Sequence, residues 1–135
     1  MANRTLIVIF VALSVVLCAL HTPAAQRPGT KVPEKLLRTK LDYARKTFEE
    51  YSKSQEFRTA ETAYQWSCRW LEAQRQLSDN KKDQKEAVEA HQIRMQKLQQ
   101  AVDQLYQGKL VGIEQVYATA FYVAEAEVWV AQSKD

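Results

Sequence analysis

Apolar side chains recur along residues 88–106 in steps that alternate between three and four. They fall at Val88, His91, Met95, Leu98, Val102 and Leu105, where His91 is the polar member of the series. This spacing puts one side of a helix against the length of a neighbouring helix. The pattern therefore predicts a long helix over about 82–107, and the rest of the domain is expected to pack around it. Gly108 is predicted to end this helix in the left-handed conformation.

A second stretch repeats the alternation of four and three at Leu37, Leu41, Ala44, Phe48 and Tyr51. It predicts a helix over 33–54, with Pro33 in the first turn, where a missing N–H costs nothing. A wide aromatic stripe over 60–77 predicts a further helix after a short polar break. Ser78, Asp79 and Asn80 then offer N-caps for the long helix.

The last predicted helix starts at Gly112 and runs to about residue 131. It is apolar nearly all round and is charged at Glu114, Glu125 and Glu127 alone. A helix of this kind is buried on more than one side, either by its own bundle or by another chain.

The four helices are arranged as an internal repeat. Superposing 59–78 on 112–131 aligns Glu61 with Glu114, Tyr64 with Tyr117, Glu72 with Glu125, and Ala73 with Ala126. The first and third helices align in the same apolar phase at nearly the same offset. We interpret 33–78 and 82–133 as two copies of one helix–turn–helix unit.

These elements predict an all-α fold made of duplicated antiparallel helical hairpins. The breaks between helices are short enough to force neighbours to run antiparallel, which favours an up-down four-helix bundle. The alternative is a single long coiled-coil hairpin in which successive helices join end to end through kinks.

The N-terminal segment has the layout of a secretory signal peptide. Arg4 supplies the positive end, residues 6–20 form an apolar run, and small residues follow at Ala24 and Ala25. The run is short for a membrane span, which needs about 20 residues. We predict a signal peptide at 1–25, a flexible lead-in at 26–32 and one helical domain at 33–135, exported to the periplasm or beyond and without a membrane span after cleavage. A retained N-terminal anchor is the alternative.

Net charge and cysteine content limit the kinds of partner and of disulfide bond that the chain can have. Removing the signal, which holds Arg4 and no acid, lowers the net charge from +3 to +2, too near neutral to indicate a nucleic-acid partner. Cys18 leaves with the signal and Cys68 remains, so no disulfide can form within the mature chain. A buried, inert thiol is favoured over an intermolecular bridge or a reactive site.

The second copy reads Tyr106-Gln107-Gly108, then Glu114, Tyr117 and Ala126. The first copy has Tyr51, Ser54 in place of the glycine, then Glu61, Tyr64 and Ala73. Over about 36–133 the chain resembles the helical-hairpin repeat of TolC-like outer-membrane efflux proteins, in its soluble helical part. The resemblance implies an α-helical hairpin of the bacterial envelope; it does not imply a transport duct.

The residues offer little for catalysis. A bundle metal site uses a Glu-x-x-His pair, and Val88 stands where His91 would need the glutamate. One mature histidine cannot supply a Ser/His/Asp set, and Gly29, Gly108 and Gly112 do not form a phosphate loop. We predict no catalytic, cofactor-binding or metal-binding residues, and no enzyme.

Glu125 and Glu127 are two carboxylates in apolar surroundings, and they would have to lie side by side to share a proton. They are two residues apart and point to opposite sides of a helix. One is expected to face solvent and the other to pair with a basic residue of the first helix.

The predicted function is that of a non-enzymatic interaction or structural protein of the cell envelope, binding itself or a partner helix. Its surface is assigned to an apolar, aromatic face comprising Trp66, Trp70, Tyr122 and Trp129, although an aromatic stripe is more often core. One alternative is a small-molecule or metal-binding module near His91, Cys68 or Glu127. Another is a TolC-like efflux-associated component.

Overall fold

The computed structural model describes residues 32–53 and 60–133, and its regular elements in these ranges are four α-helices: α1 (Glu34–Lys53), α2 (Ala60–Leu77), α3 (Lys81–Gln107) and α4 (Ile113–Gln132). The all-α prediction is confirmed, and each predicted helix end agrees to within one residue. The predicted signal peptide and nearly all of the lead-in lie outside the described residues. None of the described helices is both long enough and apolar enough to cross a membrane.

Consecutive helices run antiparallel. Lys40 of α1 reaches Glu72 and Gln76 near the end of α2, with Nζ–O distances of 3.3 and 3.1 Å. Arg75, also near the end of α2, donates to Gln84 near the start of α3. Because α1 lies along α2 instead of continuing into it, the arrangement is the predicted up-down bundle and not the long kinked hairpin.

The helices do not pack equally. α1 packs mainly on α2, α3 packs mainly on α4, α2 and α3 join the two pairs, and α2 touches α4 more lightly. Within the described ranges, α1 and α4 share no helix–helix interface of their own. α3 therefore lies between α2 and α4, whereas no other described helix covers the far sides of α1 and α4.

The predicted seam of α3 is the inner face of the bundle. Val88, Met95, Leu98 and Val102 are buried, and Leu105 is half-buried. The four buried residues join a larger hydrophobic cluster around Met95 and a smaller one around Val88. Several alanines take part, among them Ala60, Ala63 and Ala126, and their small side chains let the helix backbones approach closely.

The ends of α3 are capped by the local sequence. Asn80 is the N-cap, and its side chain accepts a hydrogen bond from the Lys82 N–H at 2.8 Å, as the polar break predicts.

The prediction for the other end of α3 is wrong in one respect. Gly108 has φ −74°, and the left-handed residue is Lys109, with φ 57°. The N–H groups of Lys109 and Leu110 bond to the carbonyls of Tyr106 and Leu105, both at 2.9 Å. This Schellman closure requires the left-handed residue after the C-cap, and the C-cap here is Gly108.

Candidate functional site

The four aromatic residues predicted to form a docking surface are all half-buried. Trp66, Trp70 and Tyr122 pack against the larger hydrophobic cluster, and Trp129 packs against the smaller one. Each of them therefore has one side in the protein interior. Their assignment as an interaction surface stays a prediction.

The contacts of these residues explain why they are held in place. Tyr122 of α4 stacks on Tyr64 of α2 with ring centroids 4.1 Å apart, and Trp129 stacks on His91 at 5.3 Å. Trp70 lies 5.7 Å from the ring of Phe48. Aromatic pairs at such distances stabilise the fold beyond their area burial, so these rings also join the helices together.

A polar cluster occupies the interface of α2 and α3, where the pattern predicts a mainly apolar seam. Ser67 and His91 are fully buried and Arg94 is 8% exposed. Arg94 Nε donates to Ser67 Oγ at 2.7 Å, and Ser67 Oγ lies 2.8 Å from His91 Nδ1. Because Ser67 Oγ accepts from the guanidinium, we assign its own hydroxyl hydrogen as the donor to His91 Nδ1. The imidazole hydrogen of His91 is then on Nε2.

Two donors of this cluster have no protein acceptor among the described residues: His91 Nε2 and Arg94 Nη2. Burial, and then the charge of Arg94, lower the pKa of His91 from 6.5 to about 3, so the imidazole is neutral at physiological pH. Burial lowers the pKa of Arg94 to about 10, which still leaves it charged. The cluster is thus one buried cation with a neutral histidine beside it.

Besides its hydrogen bond to Ser67, the guanidinium of Arg94 lies over aromatic rings. It lies 4.1 Å from the centroid of Trp70 and 5.9 Å from that of Phe48. No carboxylate of the described ranges forms an ion pair with it. A desolvated cation over an aromatic face is attracted by the negative face of the ring, and this partly offsets the cost of burying the charge.

Although Ser67 and His91 are in contact, they do not form an accessible nucleophile and base. Both side chains are closed to solvent, and Ser67 is also engaged by Arg94. The described part of the chain also contains no group of three His, Cys, Asp or Glu residues arranged to hold a metal ion.

The two carboxylates of interest separate as expected, but the partner of Glu125 differs from the predicted one. Glu127 is exposed, whereas half-buried Glu125 accepts a hydrogen bond from the Tyr64 hydroxyl of α2. α4 lies beside α2 and α3, so Tyr64 takes the place expected for a basic residue of α1. Burial, followed by the nearby Glu61, Cys68 and Glu125, raises the pKa of Tyr122 to about 12.

Among the described residues, the outer side of α4 is the clearest surface without a helical neighbour. We define the α4 outer face as a stripe of exposed apolar residues: Ile113, Tyr117, Phe121, Ala124, Val128 and Ala131. Tyr117 is 69% exposed, Val128 52% and Phe121 50%. Thr119 and Ala126 are the buried residues of this helix. The spacing of three and four residues from Ile113 onwards is the sequence signal that could have predicted this stripe. The prediction from sequence instead fell on the large aromatic residues Tyr122 and Trp129 of this helix.

The outer side of α1 also carries exposed apolar residues. We define the α1 outer face as Leu36, Tyr43 and Tyr51, which are 59%, 66% and 47% exposed. A shallow, open depression runs along its first half, lined by Glu34, Lys35, Arg38, Thr39, Asp42 and Tyr43.

No protein-family model matches this chain, and no curated protein or solved structure matches it significantly. The resemblance to TolC-like helical hairpins therefore stays a prediction.

Proposed function

We propose that the chain is a non-enzymatic, exported helical interaction protein of the cell envelope, which binds itself or a partner helix through an apolar face. The observation that supports this most directly is the α4 outer face. Four large residues there, Ile113, Tyr117, Phe121 and Val128, are each 42% exposed or more on one side of one helix. Exposed apolar patches of this kind mark interaction sites on folded proteins.

The spacing of these side chains suits a helical partner. Ile113, Tyr117, Ala124 and Val128 follow each other by four or seven positions, as do the anchors by which an amphipathic helix lies in a groove. Trp66 of α2 is a separate candidate surface, because it lies two residues from Tyr64, the contact to α4, and therefore on the other side of α2. It keeps part of its ring at the surface, with the Arg69 guanidinium 4.3 Å above it.

Photo-crosslinking in cells tests this function. A benzophenone amino acid is placed at Tyr117, Phe121, Val128 or Trp66, and at Gln100, an exposed residue of α3, as the matched control. We expect discrete crosslinked adducts from one or more of the apolar positions and none from Gln100. An adduct to a second copy and an adduct to another protein both agree with the proposal. Absence of adducts at all four apolar positions contradicts it.

Export is proposed on the sequence of residues 1–25 and has its own test. Fractionation of cells that express the full chain should place the protein outside the cytoplasm, with a new N-terminus near Ala25. A cytoplasmic protein that begins at Met1 would contradict this part of the proposal.

The second candidate is a small-molecule-binding module around His91. The observation that favours it is the pair of buried donors, His91 Nε2 and Arg94 Nη2, without protein acceptors among the described residues. A thermal-shift panel of small anions and neutral acceptors separates the two candidates. Stabilisation that is lost in His91→Ala, in a variant that still folds, would favour the module.

A further inference from the structure

The outer faces of α1 and α4 have no helical partner among the described residues, and the two helices carry opposite net charge. α4 contains Glu114, Glu125 and Glu127 and no basic residue, and Glu114 and Glu127 are exposed beside its apolar stripe. α1 contains six basic residues against four acidic ones. A partner for the α4 outer face should therefore be a basic amphipathic helix, and the chain itself contains one.

The geometry of α1 matches this requirement. At about 100° per residue, Leu36, Tyr43 and Tyr51 fall within an arc of about 80°. Lys35, Lys46 and Lys53 lie beyond one edge of that arc, within about 20° of each other. Lys46 and Lys53 are also within 2.7 and 3.4 Å of Asp42 and Glu50 of the same helix, so a docked glutamate would have to share or replace these exposed partners. All three lysines are exposed. The apolar stripe of α1 thus has a group of lysines on one side, whereas the apolar stripe of α4 has exposed glutamates beside it.

The packing within one chain leaves this match unused. α1 packs on α2, and in the described ranges it has no interface with α4. Each of the two helices has 20 residues and is about 30 Å long. A strip about 10 Å wide along such a helix offers roughly 300 Å².

One helix pair between two chains would fall below the roughly 800 Å² per partner of a standard interface. Two reciprocal pairs give roughly 600 Å² per partner, near the lower limit for a specific dimer. A pairing of α4 with α4 would use one strip only, and it would set glutamates against glutamates.

We propose that α1 of a second copy covers the α4 outer face, and that the reciprocal contact closes a two-fold dimer. This inference rests on the proposed function, of which it names the partner. Each chain then contributes the α1 face with lysines beside it and the α4 face with glutamates beside it, so the contact is self-complementary, as two-fold symmetry requires.

Light scattering on the purified protein over a wide concentration range gives the first test. We expect the mass of a dimer, with a dissociation constant that rises with salt because opposite charges face each other across the contact. Phe121→Lys should raise that constant at least tenfold, whereas Gln100→Lys, on the exposed side of α3, should not change it. A monomer at every concentration overturns the proposal, and so does an association that strengthens with salt.

A charge exchange tests which helices meet. Glu127→Lys, and separately the double variant Lys35→Glu/Lys46→Glu, should each weaken self-association by about tenfold. Mixing the two proteins should restore dimers, because both reciprocal contacts then pair opposite charges. If Glu127→Lys instead strengthens self-association, α4 is packing on α4 and the proposal fails. Circular dichroism confirms that each variant folds.

A crosslinking arm does not depend on the charge variants. Tyr43 and Phe121 are exposed and lie near the middle of α1 and α4, so they meet whether the two helices run parallel or antiparallel. In a Cys68→Ser background, Tyr43→Cys mixed with Phe121→Cys should form a disulfide-linked pair under mild oxidation by diamide. Efficient self-linking of Phe121→Cys alone overturns the proposal. Cellular crosslinks from Phe121 to another protein, with no dimer in solution, would leave the proposed function standing and reject this partner.

Discussion

The inner face of α3 and the outer face of α4 reverse the usual distribution of side chains. Arg94 and His91 are buried on α3, whereas Tyr117, Phe121 and Val128 are exposed on α4. Arginine is rarely fully buried, and large apolar side chains are seldom left in a row at the surface. The difference follows from the neighbours: α3 lies between two helices, and no helix of the described ranges lies beyond α4. Position in the bundle has decided burial here more than residue type.

The buried polar side is tolerated because its groups have local partners. Ser67 bonds both Arg94 and His91, and Trp70 faces the guanidinium. Such a cluster is costly to disturb, because a group that loses its partner stays buried and unsatisfied. The outer face of α4 should respond in the opposite way, since its side chains have few neighbours to lose.

The largest effect is expected at Arg94. Arg94→Ala removes a buried side chain between Phe48, Trp70 and Ser67, and should lower the free energy of unfolding by about 2–4 kcal/mol. Arg69→Ala is the matched control, because Arg69 also lies over a tryptophan, at 4.3 Å from Trp66, but is exposed. It should cost about 0.5–1 kcal/mol. Urea unfolding of both variants measures the difference, and equal losses would show that burial adds nothing to the Arg94 contact.

The second effect is a pH dependence from His91. Burial lowers its folded-state pKa to about 3 from 6.5, so between these values the unfolded chain binds a proton that the folded protein does not. Stability is therefore fully present above about pH 6.5 and falls as the pH drops towards 3. Between pH 7 and 4.5 the loss should be roughly 2–3 kcal/mol. Denaturant midpoints measured at each pH check it.

Carboxylates also titrate at the acid end of this range, so the control is His91→Gln measured over the same pH values. The variant should lack the His91 component and show a shallower slope between pH 6.5 and 5, whatever its stability at pH 7. Identical slopes in both proteins would mean that the folded state protonates His91 as readily as the unfolded chain does.

A smaller effect is expected when the shared hydroxyl is removed. Ser67→Ala leaves Arg94 Nε and His91 Nδ1 without the Ser67 hydroxyl and should cost about 1–2 kcal/mol. Ser52→Ala is the control, because the Ser52 hydroxyl donates to the Glu49 carbonyl within its own helix and should cost no more than about 0.5 kcal/mol. Thermal unfolding at pH 7 compares the two, and a neutral Ser67→Ala would show that the cluster does not need its central oxygen.

The helices and their order were predictable because they depend on local spacing. The three–four alternation of Val88, Met95 and Leu98 and the polar break at Asn80 each act within a few residues. The left-handed residue at Lys109 shows the limit of this reasoning. Its position depends on where the last turn of α3 closes, and the glycine one residue earlier misleads a reading of sequence alone.

The polar cluster and the α4 outer face could not be predicted in the same way. Ser67, His91 and Arg94 come from two helices, and the rotation of each helix about its axis decides whether they meet. A charged residue at position 94 reads as a solvent-facing one until α2 is in place. For α4, sequence showed an excess of apolar residues but not which of them would remain uncovered. That depends on α1 packing on α2 and not on α4.

The smallest effect gives the sharpest comparison, because it places the same new residue on two sides of α4. Phe121→Ser replaces a large exposed side chain with one of similar helix propensity and should change the free energy of unfolding of the monomer by no more than about 0.5 kcal/mol. Ala126→Ser adds one oxygen at a position that is 0% exposed and should cost about 1 kcal/mol. Both are measured by urea unfolding at a concentration where light scattering shows the monomer. The small change should cost more than the large one; the reverse order would mean that Phe121 supports the fold of its own chain, and that the α4 outer face is not free for a partner.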